Sequence, residues 1–186
     1  LIGFDKYKNK SIILTVNHIC TLPFETALQD EVGEYNKTMT VVSFNGRDHA
    51  AEIVFYEEEY DLCIVEADYF PGTPVPIADS PAEIGEKVYN VAAPTGFASA
   101  NMVPIFDGYY SGNMNFGRDV DSVYTVPVRG GSSGSPITNS RGEIIGIIHS
   151  ALRDFENIGL SCSWEELNDF ITRYEQKYAI DLSETQ

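Results

Sequence analysis

Gly130-Gly131-Ser132-Ser133-Gly134-Ser135-Pro136 is the stretch whose reading organises the rest of the chain. A Gly/Ser-rich loop can be a plain flexible turn, but this one lies between two apolar runs in a chain with little other Gly/Ser clustering. A serine hydroxyl is a poor nucleophile unless a base removes its proton during attack. The tetrahedral oxyanion that follows needs backbone N–H donors converging on one point. Converging donors demand unusual backbone dihedrals and close approach, which glycine supplies at low steric cost.

On either side of this loop the chain reads as short β-type runs punctuated by turns. The expected strands are Ser11–Thr15, Thr38–Phe44, Ala50–Tyr56, Leu62–Glu66, Lys87–Ala92, Met102–Tyr110, Ser122–Val126, Pro136–Thr138, Ile144–Ser150 and Asn157–Cys162. Turn signals such as Asn45-Gly46-Arg47-Asp48, Pro71-Gly72-Thr73-Pro74 and Asn139-Ser140-Arg141-Gly142 fall between them. Many short strands without alternating helices mean a sandwich or barrels, not a βαβ layout. One helix is expected, at the C-terminal end. Ser163 followed by Glu166 is a capping-box signature, and Trp164, Leu167, Phe170, Ile171, Tyr174 and Tyr178 recur at helical spacing. Ala78-Asp79-Ser80-Pro81-Ala82 has no periodicity and is the expected boundary between two halves. The opening Leu1-Ile2-Gly3-Phe4 reads as the middle of a strand, so the lack of a leader sequence carries no information about compartment.

The 186 residues suffice for a sizeable core. With 10 Phe, 11 Tyr and one Trp the composition excludes an unpacked chain, and no apolar run reaches the ~18–20 residues of a membrane-spanning helix. Twelve basic against 28 acidic residues give a net charge of −16, a surface that repels phosphate and argues against nucleic-acid partners. Cys20, Cys63 and Cys162 are an odd number without metal-ligand spacing. At most one disulfide can form among them, and Cys63, inside an apolar run, is expected to be a buried thiol. His49, in a turn leading into a strand, is expected at the surface.

Two further segments become informative when taken with the loop: Leu14-Thr15-Val16-Asn17-His18, an apolar strand ending on a histidine, and Asp61-Leu62-Cys63-Ile64-Val65, an aspartate opening one. Each alone has a bland explanation. Together and in this order they resemble the His, Asp and Ser motifs of the trypsin/chymotrypsin-like serine peptidases: “L-T-x-x-H”, “D-[IL]-A-[VL]-[LV]” and “G-x-S-G-[GS]-P”. Gly85-Glu86-Lys87-Val88 through Ala93-Pro94-Thr95-Gly96-Phe97 is similar to a stretch of HtrA-type protease domains. Gly142-Glu143-Ile144-Ile145-Gly146-Ile147 is similar to the strand after the nucleophile in HtrA-type and glutamyl endopeptidase domains. The resemblance runs from about Gly3 to Phe170. It departs from the family in Ser132, where many trypsins have an aspartate, in Ser135, where many members have glycine, and in the expected absence of an N-terminal strand before Leu1.

The resemblance implies an all-β fold of two antiparallel Greek-key β-barrels with a C-terminal helix. Residues 1–78 would carry His and Asp, residues 79–162 the serine, and residues 163–178 the helix. It implies a serine endopeptidase acting on polypeptides through an acyl-enzyme, with His18 as base, Asp61 as orienting acid, Ser133 as nucleophile, and the N–H groups of Gly131 and Ser133 as oxyanion hole. No metal or organic cofactor and no membrane insertion are implied. A catalytically silent module of the same fold, used for binding in a larger assembly, is the alternative. An α/β-hydrolase esterase is disfavoured by the missing G-x-S-x-G elbow around Ser133. For the specificity pocket the resemblance points to Pro127, Val128, His149 and Ser150. Either His149 donates to a Glu or Gln side chain of the substrate, or the pocket is small and apolar and accepts Val, Ala or Leu. A one-residue slip on the strand turns His149 to the opposite face, so the sequence leaves both readings open.

Overall fold

In a computed structural model of the chain, residues 1–21, 39–115, 120–152, 154–155 and 157–185 are described. The two apolar runs flanking the His and Asp motifs form the centre of the first sheet. β2 (Lys10–Val16) and β5 (Leu62–Asp68) pair antiparallel over their whole length, from Lys10 opposite Asp68 to Val16 opposite Leu62. β1 (Gly3–Asp5) adds to β2, while β4 (Asp48–Glu57) and β3 (Met39–Val42) add on the other side, giving the order β1-β2-β5-β4-β3. β5 is buried at six successive positions because both faces are covered. Leu62 and Ile64 face one core with Ile12, Leu14 and Val16, whereas Cys63 and Val65 face another with Ile13, Met39, Val41 and Ile53.

The second half closes on itself. β6 (Lys87–Val91), β7 (Ile105–Asn115), β8 (Val120–Tyr124), β9 (Pro136–Thr138), β10 (Ile144–Ala151) and β11 (Gly159–Cys162) form a closed barrel in the order β10-β11-β8-β7-β6-β9. Val88, Tyr110, Tyr124, Val126, Val128, Ile137, Ile145 and Ile148 fill it. The all-β expectation thus holds, with one barrel closed and the first half an open five-stranded sheet among the described residues. Pro136–Thr138 is reproduced at both ends, the starts at Leu62, Lys87 and Ile144 and the end at Cys162 also hold, and the other strand ends shift by up to five residues; Thr38 lies outside the described residues. β7 runs to Asn115 because its far end pairs with β8.

The expected helix is present as α2 (Trp164–Tyr178), the first helical element being the single turn α1 (Asn17–Cys20) that follows β2. Ser163 Oγ accepts from Glu166 N and Glu166 Oε2 accepts from Ser163 N, the reciprocal bonds of the capping box. Leu167, Phe170, Ile171 and Tyr174 bury one face against Ile12, Leu14, Val16 and Ile64 of the first sheet and Ile144 and Ile147 of β10. The helix therefore joins the two halves through one apolar cluster. Trp164 Nε1 donates to the Ala78 carbonyl at 3.0 Å, and the segment between the halves runs beside β10, with Ala78 N bonded to Ile144 O. No helix among the described residues is long and apolar enough to cross a membrane.

Candidate active site

The antiparallel register of β2 and β5 delivers two of the three motif residues to one place. Val16 opposite Leu62 is the last rung of the ladder, and the next residues, Asn17 and Asp61, are joined by Asn17 N to Asp61 O at 3.0 Å. Beyond the ladder β2 coils into one helical turn, α1 (Asn17–Cys20), which the period-2 pattern gave no reason to expect. Asp61 ends the β4–β5 turn in a left-handed conformation, φ 50°, which Asp tolerates better than most residues. Its carboxylate holds α1 twice. Asp61 Oδ1 accepts the His18 backbone N–H at 2.8 Å, and Asp61 Oδ2 lies 2.6 Å from His18 Nδ1. A ring nitrogen so placed carries the proton toward the carboxylate, leaving Nε2 as an acceptor in the neutral tautomer. Nε2 has no partner among the described residues, and the side chain is 41% exposed.

A disulfide completes this anchoring. Cys20 and Cys63 are bonded, each two residues after a motif residue, so Cys63 is not the free thiol expected from sequence. The free, buried cysteine is Cys162. Its thiol is pushed up by burial and further by the carboxylates of Glu166, Asp121 and Asp61. Pairing three cysteines is a three-dimensional fact; the only sequence signal was the shared offset from His18 and Asp61.

The glycine/serine loop sits against the same turn. Gly134 N donates to Ile148 O at 2.8 Å and Ile148 N donates to Ser135 O at 2.9 Å, so β10 holds the loop from below. A Cβ on Gly134 would stand 2.5 Å from Thr15 Oγ1 and 3.8 Å from Ile19 Cδ1. Those two residues bracket His18, so only glycine lets the loop come this close. The three serines are differently placed. Ser132 is fully buried and its Oγ accepts the Arg129 N–H at 3.3 Å. Ser135 Oγ accepts from Asn90 Nδ2 at 2.8 Å; Asn90 also donates to Pro136 O, a role that no sequence motif announced. Ser133 is partly exposed, and its hydroxyl makes a long 3.5 Å contact to the His149 carbonyl. No hydrogen bond joins it to His18 among the described residues.

The loop backbone has its own geometry. Ser132 N donates to Arg129 O at 2.9 Å and Gly131 has φ +93°, which makes residues 129–132 a type II turn. A side chain on Gly131 would also meet Ala93 O at 2.7 Å. Neither the Gly131 nor the Ser133 N–H has a partner among the described residues.

Beside Ser133 opens a cleft of about 580 Å³ lined by Val128, Arg129, Gly130, Ser133, Ser150, Ala151, Leu152, Asp154 and Phe155. Of the four residues named for the specificity pocket, Val128 and Ser150 line this cleft, and Pro127 and His149 do not. The pairing of β10 with β11 shifts register between Ile148 and Ser150, and this bulge at His149 aims its ring away from the cleft. His149 Nε2 instead meets Asp121 Oδ1 of β8 at 3.0 Å, both groups being largely buried. His49 is half-buried rather than at the surface, its Nε2 3.0 Å from Ser43 Oγ and its ring edge-on to Phe70. No group of three His, Cys, Asp or Glu suited to a metal ion occurs among the described residues.

Comparison with known proteins adds a family. A profile of the trypsin-like peptidase domain matches residues 3–147. Among solved structures, the fold is similar to the Rv3671c protease of M. tuberculosis in its active form, at TM-score 0.68 and 17% identity over 87% of this chain and 68% of that one. It is similar to the serine endoprotease of Yersinia pestis at 0.67 and 21%, over 89% of this chain and 54% of that one. The HtrA-type protease AlgW, solved with a decapeptide, aligns at 0.67 and 18%, over 88% and 49%. This chain spans about half the length of the last two.

Proposed function

The chain belongs to the trypsin-like peptidase family, and from that premise we propose that it is a serine endopeptidase cleaving polypeptides through a His18–Asp61–Ser133 triad. The observation that carries this reading is the 2.6 Å contact between His18 Nδ1 and Asp61 Oδ2, with the Ser133 loop packed on the residues bracketing His18. In this reading Ser133 Oγ gives up its long contact to the His149 carbonyl and bonds to His18 Nε2 when substrate binds, since hydrogen bonds in such sites often tighten only in the bound complex. His18 takes the hydroxyl proton as Ser133 Oγ attacks the scissile carbonyl. Asp61 holds the tautomer and stabilises the imidazolium. The unpartnered N–H groups of Gly131 and Ser133 receive the oxyanion, and His18 returns the proton to the leaving amine. Water then repeats the sequence on the acyl-enzyme. In this reading the five-stranded sheet is part of the first of two barrels, with residues 1–78 and 79–162 as the two halves and residues 163–178 as the helix joining them.

The substrate pocket in this reading is the cleft beside Ser133, whose Val128, Ala151 and Leu152 favour a small apolar side chain before the cleaved bond. His149, tied to Asp121, takes no part in selecting it. The one observation favouring a silent binding module is the Ser133 contact to His149 O in place of His18. Peptide-library cleavage by point variants decides. Ser133→Ala abolishes turnover by several orders of magnitude while Ser132→Ala and Ser135→Ala retain most of it. His149→Ala leaves the preference for Val, Ala or Leu unchanged. Wild-type protein without cleavage of any library peptide supports the silent module; selection for Glu or Gln that disappears in His149→Ala removes the apolar pocket.

A further inference from the structure

We propose that Thr95 is a positioning residue for the oxyanion hole: its backbone N–H, presented from a left-handed turn, sets which way the Gly130–Gly131 peptide faces. The inference rests on the serine-peptidase reading above and concerns a segment outside the triad.

The turn of residues 129–132 is closed by Ser132 N to Arg129 O. That bond does not by itself choose the turn's conformation. Type I and type II turns share the same closing bond and differ by turning the central peptide over. With Gly130 and Gly131 at the two central positions, both forms are sterically open to the loop. What distinguishes them here is external: the Gly130 carbonyl accepts the Thr95 N–H at 2.6 Å. Because a trans peptide is planar, the Gly131 N–H points opposite to the Gly130 carbonyl. Thr95 therefore pulls the carbonyl to its own side and turns the Gly131 N–H away from it, and that N–H is one of the two unpartnered donors next to Ser133.

Thr95 delivers its N–H from an unusual position. It sits at φ 55°, ψ 22°, left-handed, in the 3₁₀ turn Pro94–Gly96, and a β-branched residue is a genuine outlier there. The turn is exposed and held by its own bonds: Gly96 N to Ala93 O at 3.0 Å, Phe97 N to Pro94 O at 2.9 Å and Thr95 Oγ1 to Pro94 O at 2.7 Å. The two backbones are in close contact, since a Cβ on Gly131 would meet Ala93 O at 2.7 Å and the Thr95 and Gly96 nitrogens at 3.3 Å. When Thr95 leaves the left-handed region its N–H swings away, and the Gly130–Gly131 peptide loses the bond that selects the type II form.

The test uses the whole chain, replacing Thr95 by its α-hydroxy analogue. This turns the 94–95 amide into an ester and removes one N–H while keeping the side chain. Thr95→Gly and Thr95→Asn keep this N–H and ease the left-handed conformation. Each is assayed for kcat and KM on a peptide substrate and for inhibition by a peptide aldehyde, whose hemiacetal oxyanion needs the hole. Thermal melts identify any variant that does not fold. The expected result is a kcat about 10²-fold lower in the ester variant, with KM changed less than about threefold and aldehyde affinity falling in step with kcat. Thr95→Gly and Thr95→Asn stay within about threefold of wild type. Unchanged kcat and aldehyde affinity in the ester variant, with Ser133→Ala inactive, overturns the proposal alone, as does Thr95→Gly falling as far as the ester. Wild-type turnover in Ser133→Ala overturns the peptidase reading and this proposal with it.

Discussion

Gly134→Ala measures how firmly the glycine/serine loop is seated against the histidine turn. The added methyl meets Thr15 Oγ1 at 2.5 Å, and Gly134 has φ +83°. Left-handed backbone costs an L-residue about 1–2 kcal/mol, and overpacking a tight contact costs about 1–3 kcal/mol. The expected loss is therefore about 2–5 kcal/mol. Turning Thr15 about χ1 offers little relief, because it exchanges the hydroxyl for the γ-methyl or forces a poor rotamer on a β-branched strand residue. Thr15→Ala removes the obstructing atom, so the double variant should recover the steric part and keep the backbone part. Urea denaturation of wild type, both single variants and the double variant should give a coupling of about 1–3 kcal/mol in favour of the double variant. Activity should follow the same pattern, since the displaced loop carries Ser133. Additivity within about 0.5 kcal/mol would refute the seating of the loop on Thr15.

Three other outcomes follow from the same geometry. Alkylation of thiols should find none reactive in the native protein, one after denaturation without reductant, and three with reductant. Three without reductant would exclude the Cys20–Cys63 bond. Stability should decline at alkaline pH. Burial holds Cys162, Tyr124 and Tyr174 above their usual ionisation range in the folded state. The unfolded chain therefore releases these protons first, from about pH 8.5 for the thiol and about 10 for the phenols. The stabilisation is complete below those values and lost as pH rises through them, so Cys162→Ala should flatten the first part of a urea-stability profile. Ser163→Ala breaks the capping box and should cost about 1 kcal/mol, read as a melting temperature lower by about 2–4 °C.

How far the sequence carried depended on the range of the interactions involved. The capping box at Ser163 and Glu166 and the apolar run Ile144–Ile148 are local signals, and both elements lie where the pattern puts them. The convergence of His18 and Asp61 was readable only through the resemblance, because it depends on the β2–β5 register over a separation of 43 residues. Three features were out of reach. α1 is a single turn with too few residues to show a period. The disulfide is chosen among three cysteines by the packing of β5 on α1. His149 faces Asp121 because of a bulge, and a bulge changes which face a residue occupies without altering the run of apolar letters around it. Asn90 and Thr95 bond to the glycine/serine loop at Ser135, Pro136 and Gly130 from far away in sequence and without a motif of their own.

The central claim is that Ser133 is an activated nucleophile, and covalent labelling reads this without knowledge of the substrate. Incubation of the protein with a fluorophosphonate, followed by intact-mass measurement and peptide mapping, should give one adduct, on Ser133. Labelling should be lost in Ser133→Ala and slowed by orders of magnitude in His18→Ala, with Ser132 and Ser135 unmodified. An adduct on Ser132 or Ser135, or labelling of Ser133 that is equally fast without His18, would contradict it.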